Sequence, residues 1–165
     1  FNYWRLAMIT QEVVQKIRNI VGKEHTLDSD LDRFGYSYDS SFVPLFPASM
    51  PDLVVRPRTT EEVSEVMKIA YANAIPVTAR GTASGRTGGS IPLKGGIVLC
   101  LDRMTSVIEL DQKNMMITVE AGEGTGDIKN ICAQKSKVFT PELGSFIFLK
   151  KWGKIYINVG GVWGV

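Results

Sequence analysis

Between Ala79 and Gly89 the chain reads ARGTASGRTGG, with four glycines and no large apolar side chain after Arg80. The chemistry this pattern suggests is that of the main chain. Glycine admits positive φ and lets another molecule approach backbone atoms closely. A strand that ends in several glycines can curl its N–H groups into a concave nest that holds an anion, typically a phosphate. The candidate binding residues are Arg80, Gly81, Thr82, Ala83, Ser84 and Gly85, with Gly88 and Gly89 letting the chain turn away. A plain surface loop between two strands is the other reading these residues leave open.

The familiar phosphate motifs do not fit. A dinucleotide fingerprint needs G-x-G-x-x-G opening a helix. Here Gly81 and Gly85 are wrongly spaced, and SIPLKGGIVLCL downstream carries Pro92 and a β-rich run. A P-loop needs one more residue between its glycines, and lysine where Arg86 stands. Backbone amides in a loop, without a helix dipole, would have to cradle the anion.

Elements must bring that loop into place. ITQEVVQKIRNIVG sets Ile9, Val13, Ile17 and Ile20 on one stripe, with Gly22 as a stop, which predicts an amphipathic helix. From Lys23 to Met50 the chain is polar and aromatic and keeps no period; RFGYSYDSS reads as a loop with aromatic anchors. PDLVVRP predicts a short strand, Leu53 to Arg56. Thr59 with Glu62 forms a capping box opening a helix with Val63, Val66, Met67 and Ala70 inward, and the negative charge of Glu61 and Glu62 belongs at that end. PVTA is a strand that runs straight into the glycine turn. GGIVLCL, SVIELD and MMITVEAG follow as strands, the last two joined by DQKN. GDIKNICAQK predicts a helix with Ile128, Ile131 and Cys132 inward. A β-α-β unit followed by consecutive strands predicts an α+β fold.

Composition excludes several classes. The 19 basic and 17 acidic residues are interspersed, so no basic block points to nucleic acid. No apolar run reaches the roughly 18 residues that span a bilayer, and no secretory signal pattern is visible. Cys100 and Cys132 sit in apolar patterns without partners at metal-ligand spacing. They read as buried free thiols, which suits a cytoplasmic, reducing location.

The stretch from Pro51 to Asn130 resembles the flavin-binding domain of the vanillyl-alcohol-oxidase type of FAD-linked oxidoreductase. Within that group it looks most like the glycolate oxidase and D-lactate dehydrogenase branch. VVRPRTTEEV, the P-V-x-x-R-G turn, the G-G-x-I-P-x-K-G-G-I-V run, RMTSVIELD and VEAG carry the likeness. YSYDSS stands where that branch has a Y-S-x-D element, FTPELGS resembles its P-x-D-P-x-S loop, and GKIYINVGGVWGV its G-N-I-x-T-N-A-G-G segment. Two departures stand out. The family's R-G-x-G-T-S turn has glycine where this chain has Ala83, and Leu149, Lys150, Lys151 and Trp152 fill a place where it has small residues.

The resemblance implies a PCMH-type FAD-binding domain over residues 51–165, with a small β-α-β subdomain followed by a mixed or antiparallel strand subdomain flanked by helices. Residues 1–50 would be an N-terminal helix and extended segment. The whole would be the amino-terminal part of a longer enzyme whose later region carries the substrate cap and the catalytic residues. The FAD diphosphate would lie on the amides of Arg80 to Gly85. Pro141, Gly144 and Ser145 would line the cofactor further along, and Gly153, Asn158, Gly160 and Gly161 would run near the ribityl chain and ring. The implied reaction is hydride transfer from a 2-hydroxy acid, D-lactate or glycolate in class, to flavin N5, giving the 2-oxo acid. With no histidine in the turn, non-covalent FAD is expected. Such enzymes often work beside an electron-transfer flavoprotein or other redox subunits. Other substrates on the same fold, and a non-catalytic flavin-carrying subunit, stay open. So does Arg80, which could pair with phosphate or lock the loop to neighbouring carbonyls. Arg86 reads as solvated, His25 as a surface residue, and Trp4, Trp152 and Trp163 as packing groups.

Overall fold

The computed structural model describes residues 9–41, 50–114 and 116–135. Helix α1 (Gln11–Val21) buries Val13, Val14, Ile17 and Val21; its N-cap Thr10 accepts from the Val13 amide, and Gly22 ends it at φ 94°. Ile9 and Ile20, expected on the same stripe, pack at the edge of the core. A short 3₁₀ turn then leads into β1 (Thr26–Leu27) and α2 (Asp30–Phe34). Strand β2 (Leu53–Val55), α3 (Thr60–Ala72) and β3 (Val77–Arg80) form the β-α-β unit. Strands β4 (Ile97–Cys100), β5 (Val107–Asp111) and β6 (Met116–Val119) and helix α4 (Thr125–Gln134) complete the described fold.

The first sheet runs β1-β2-β4-β3. Strand β1 is antiparallel to β2, while β2 and β3 both lie parallel to β4. All four residues of β4 are buried, as befits a strand covered on both faces. Leu53, Val55, Ile97 and Leu99 face α1 and α3, meeting Val13, Ile17, Val66 and Ala70. Val54, Val98 and Cys100 face the other way, with Leu27 and Tyr36 over them. Each such aliphatic side chain, moved from water, contributes about 1.5–3 kcal/mol. The core runs across position 50, because α1 and β1 share it with the strands that follow. Strands β5 and β6 form a separate antiparallel pair, and Asp111 closes their turn by accepting from the Lys113 and Asn114 amides, each at 3.0 Å. Together these parts are the α+β arrangement expected, a β-α-β unit followed by an antiparallel pair.

Two local expectations change. The Thr59 hydroxyl accepts from the Glu62 amide, but the Glu62 carboxylate reaches the Arg58 amide at 2.7 Å, one residue before the N-cap. Met67 is 42% exposed. The buried arc of α3 is centred between Val66 and Ala70, and at 3.6 residues per turn Met67 lies about 80° away from that centre. Ile69, on the opposite flank, packs against the core instead.

Both cysteines are free and buried. Burial pushes the Cys100 thiol up to about 11, with the negative charge of nearby Asp102 adding to the shift. The folded state therefore holds this proton more tightly than the unfolded chain. The resulting stability is complete below the ordinary thiol range and is lost as pH rises through about 11. We expect Cys100 to resist a thiol reagent at pH 8 in native protein and to react at once in denaturant. Rapid labelling of the native thiol would show that the face beneath Tyr36 is open. Among the described residues no helix is long and apolar enough to cross a membrane.

Candidate functional site

The three parallel strands end on one edge of the sheet, at Val55, Cys100 and Arg80. Open α/β sheets bind ligands beyond the carboxyl ends of their strands, and the glycine turn starts there. Because β3 and β4 are parallel neighbours, the chain cannot simply reverse; residues 81–96 must travel back to the opposite edge. The glycine-rich half of that crossover stays at the carboxyl edge.

Within it, Ala83 is buried and adopts φ 55°, and Gly88 adopts φ 77°. Left-handed residues among right-handed or extended ones turn successive N–H groups toward one side, which is how an anion nest forms. Among the described residues, no backbone N–H from Gly81 to Ser90 donates a hydrogen bond to another group. The loop is closed by its acceptors instead: the Gly88 carbonyl takes the Ile91 amide at 3.1 Å. Thr82 Oγ1 and Ser84 Oγ lie 3.3 Å apart. A Cβ built on Gly85 or Gly89 meets nothing within 4 Å. Amides with no acceptor among the described residues, beside the open space at Gly85 and Gly89, fit a diphosphate.

Gly96 and Gly122, outside that turn, do different work. A Cβ on Gly96 would lie 2.2 Å from the Pro76 carbonyl oxygen, and one on Gly122 would lie 1.7 Å from that of Leu101. These two let backbones touch and belong to the frame. Ala83 marks the departure from the family turn, at a position held left-handed. An L-residue pays roughly 1–2 kcal/mol there, partly offset by the freedom glycine would lose on folding. Ala83→Gly is therefore expected to stabilise the protein by about 0.5–1 kcal/mol, read as a rise in the urea midpoint; a drop would show that the buried methyl outweighs the backbone.

Arg80 points back into the protein. Its Nη1 donates to the Tyr38 carbonyl at 2.7 Å and its Nη2 to that of Gly35 at 3.4 Å, and the guanidinium lies 5.2 Å from the centre of the Tyr36 ring. Ser40 returns the contact, donating its amide and hydroxyl to the Ala83 carbonyl at 3.1 and 3.3 Å. The YSYDSS stretch is thus packed against the turn, a juxtaposition that sequence spacing gave no means to see. Burial raises the Tyr36 hydroxyl above its ordinary range. Beside it Arg56 grips Asp102 with Nε at 3.1 Å and Nη2 at 2.8 Å, a pairing that raises the guanidinium further. Arg86 is exposed, as expected, whereas His25 is half-buried. Pro141, Gly144, Ser145, Gly153, Asn158, Gly160 and Gly161, with the three tryptophans, lie outside the described residues.

Known proteins resemble this chain in sequence and in fold. The glycolate oxidase subunit GlcD of Bacillus subtilis (strain 168) is 34% identical over 158 residues, which is 96% of this chain and 33% of that protein. A D-lactate dehydrogenase of Archaeoglobus fulgidus is 34% identical over 110 residues, 67% of this chain and 24% of its own length. The chain thus spans a third or less of the length of these curated relatives. Among solved structures, p-cresol methylhydroxylase with substrate bound superposes with a TM-score of 0.69 at 25% identity, over 78% of this chain and 26% of that one. The family model described as FAD binding domain matches residues 51–164. With more than half of its length so matched, the chain belongs to the FAD binding domain family.

Proposed function

We propose that this domain binds FAD non-covalently and serves an oxidoreductase that converts a 2-hydroxy acid, of the D-lactate or glycolate class, to its 2-oxo acid. The observation that carries the reading is that, among the described residues, no amide from Gly81 to Ser90 donates a hydrogen bond, while a Cβ on Gly85 or Gly89 meets nothing within 4 Å. The substrate class rests on the relatives named glycolate oxidase subunit and D-lactate dehydrogenase.

When bound, FAD supplies the two-electron chemistry; the chain supplies the grip. The amides of Gly81 to Gly85 donate to the diphosphate, while Gly88 and Gly89 keep side chains out of its way. Ser84 and Thr82 add hydroxyl donors on the same arc. Arg80, also in the binding stretch, is spent on the Gly35 and Tyr38 carbonyls. Further along the chain, Pro141, Gly144 and Ser145 are proposed to line the cofactor, and Gly153, Asn158, Gly160 and Gly161 to run beside its ribityl chain and ring. The substrate cap and the catalytic acid–base groups belong, in this reading, to the remainder of a longer enzyme, with residues 1–50 and 51–165 as its opening segments. A cytoplasmic location and transfer of electrons to an electron-transfer flavoprotein or a similar redox subunit complete the proposal.

The test is spectroscopic. The full-length protein should purify yellow, release intact FAD on mild acid treatment, and bleach under anaerobic conditions when D-lactate or glycolate is added. Colour that neither acid bleaches would favour a flavin-carrying subunit or another substrate. A colourless protein that takes up no FAD would overturn the reading.

A further inference from the structure

Arg80 stands at the junction of β3 and the cofactor turn, and its surroundings separate the two roles its sequence position allows. One face of the guanidinium lies over the Tyr36 ring at 5.2 Å, and its edge donates to the carbonyls of Tyr38 and Gly35. A guanidinium recognises through its flat faces and its forked edge, and both are already engaged inside the protein. The segment that Arg80 holds reaches the turn a second time, through the two bonds from Ser40 to the Ala83 carbonyl. Ala83 is the non-glycine residue held left-handed in that turn, at φ 55°, so an outside partner on its carbonyl helps to keep the strained conformation in place. Tyr36, in turn, sits on Val54, Val98 and Cys100 of the sheet. A continuous path of contacts therefore joins the core to the curvature of the turn.

We propose that Arg80 is a positioning residue for the cofactor turn and not a partner of the diphosphate. By pinning Gly35–Tyr38 to the end of β3, it holds Ser40 on the Ala83 carbonyl and fixes the arc of amides from Gly81 to Gly85. The proposal rests on the cofactor reading above. It also gives the Y-S-x-D element a physical task, that of bracing the turn from outside.

The test uses the full-length protein stripped of flavin and titrated with FAD, ADP and riboflavin at low and high salt. Arg80→Ala is expected to weaken FAD and ADP by about tenfold or more, as the loss of two hydrogen bonds and a ring contact implies. Riboflavin, which lacks the diphosphate, should bind as before, and the salt dependence of FAD binding should stay at its wild-type slope. Tyr36→Leu should reproduce the loss although it removes no charge, and Arg80→Lys should recover part of the affinity. If Tyr36→Leu does not fold, the salt response of Arg80→Ala decides alone. A flattened salt dependence in Arg80→Ala would make Arg80 a phosphate partner and overturn the proposal, as would unchanged FAD affinity. Wild-type protein that binds neither FAD nor ADP would instead overturn the cofactor reading, and the positioning role with it.

Discussion

Gly96→Ala is expected to lower stability by about 2–5 kcal/mol and to reduce the folded protein recovered at 37 °C. Two effects combine. The residue sits at φ 74°, and the added methyl would lie 2.2 Å from the Pro76 carbonyl oxygen. That oxygen cannot retreat, because it accepts the Ile97 amide at 2.8 Å at the very start of the central strand. Gly96 is fixed on its other side as well: its amide donates to Asp52 Oδ2, and its carbonyl accepts from the Asp52 amide, both at 2.8 Å. The left-handed backbone contributes about 1–2 kcal/mol of the loss, and the forced displacement about 1–3 kcal/mol more. Urea denaturation followed by circular dichroism measures it. A midpoint equal to that of the wild type would mean that β4 does not start where Pro76 and Asp52 hold it.

Gly85→Leu is expected to do the reverse: stability stays within about 0.5 kcal/mol, while FAD affinity falls by two orders of magnitude or more, about 2.8 kcal/mol. Gly85 has no positive φ and a Cβ there touches nothing, so the apo-protein has room for the side chain. The room is what the diphosphate needs. A leucine in it screens the neighbouring amides and blocks close approach of the phosphate oxygens. Titrating flavin-free protein with FAD by fluorescence, beside a thermal melt of each variant, separates the two quantities. Wild-type affinity in Gly85→Leu would place the cofactor elsewhere on the chain. The pair of variants tests a division of the glycines by task, Gly96 serving the frame and Gly85 the proposed ligand site.

Much was legible because short-range physics fixes it. The stripe Val13, Ile17 announced α1, the Thr59–Glu62 spacing announced α3, and Gly22 ends its helix as expected. The strand PVTA and the glycines after it marked the turn, since glycines break a strand and admit the conformations a turn needs, while a plain surface loop stayed open beside anion binding. Other features depended on partners far along the chain. Strand β1 is two residues long and has no pattern of its own; it exists because Thr26 and Leu27 pair with Val55 and Val54. Helix α2 lies in a stretch whose polar residues show no period. Met67 obeyed the helical spacing and still faces water, because the width of a buried arc is set by what packs against it.

The sequence by itself determined the kind and order of the elements with a pattern of their own, α1, β2 to β6, α3 and α4, and the glycine-rich turn after β3. Those follow from backbone preferences and side-chain periodicity, which act within a few residues. Only the tertiary structure decided that β4 lies between β2 and β3, that Gly35–Ser40 folds onto the turn, and that Arg80 faces Tyr36. Each of these joins residues some forty positions apart or fixes the order of strands in a sheet. Sequence spacing carries no record of which distant surfaces will bury one another.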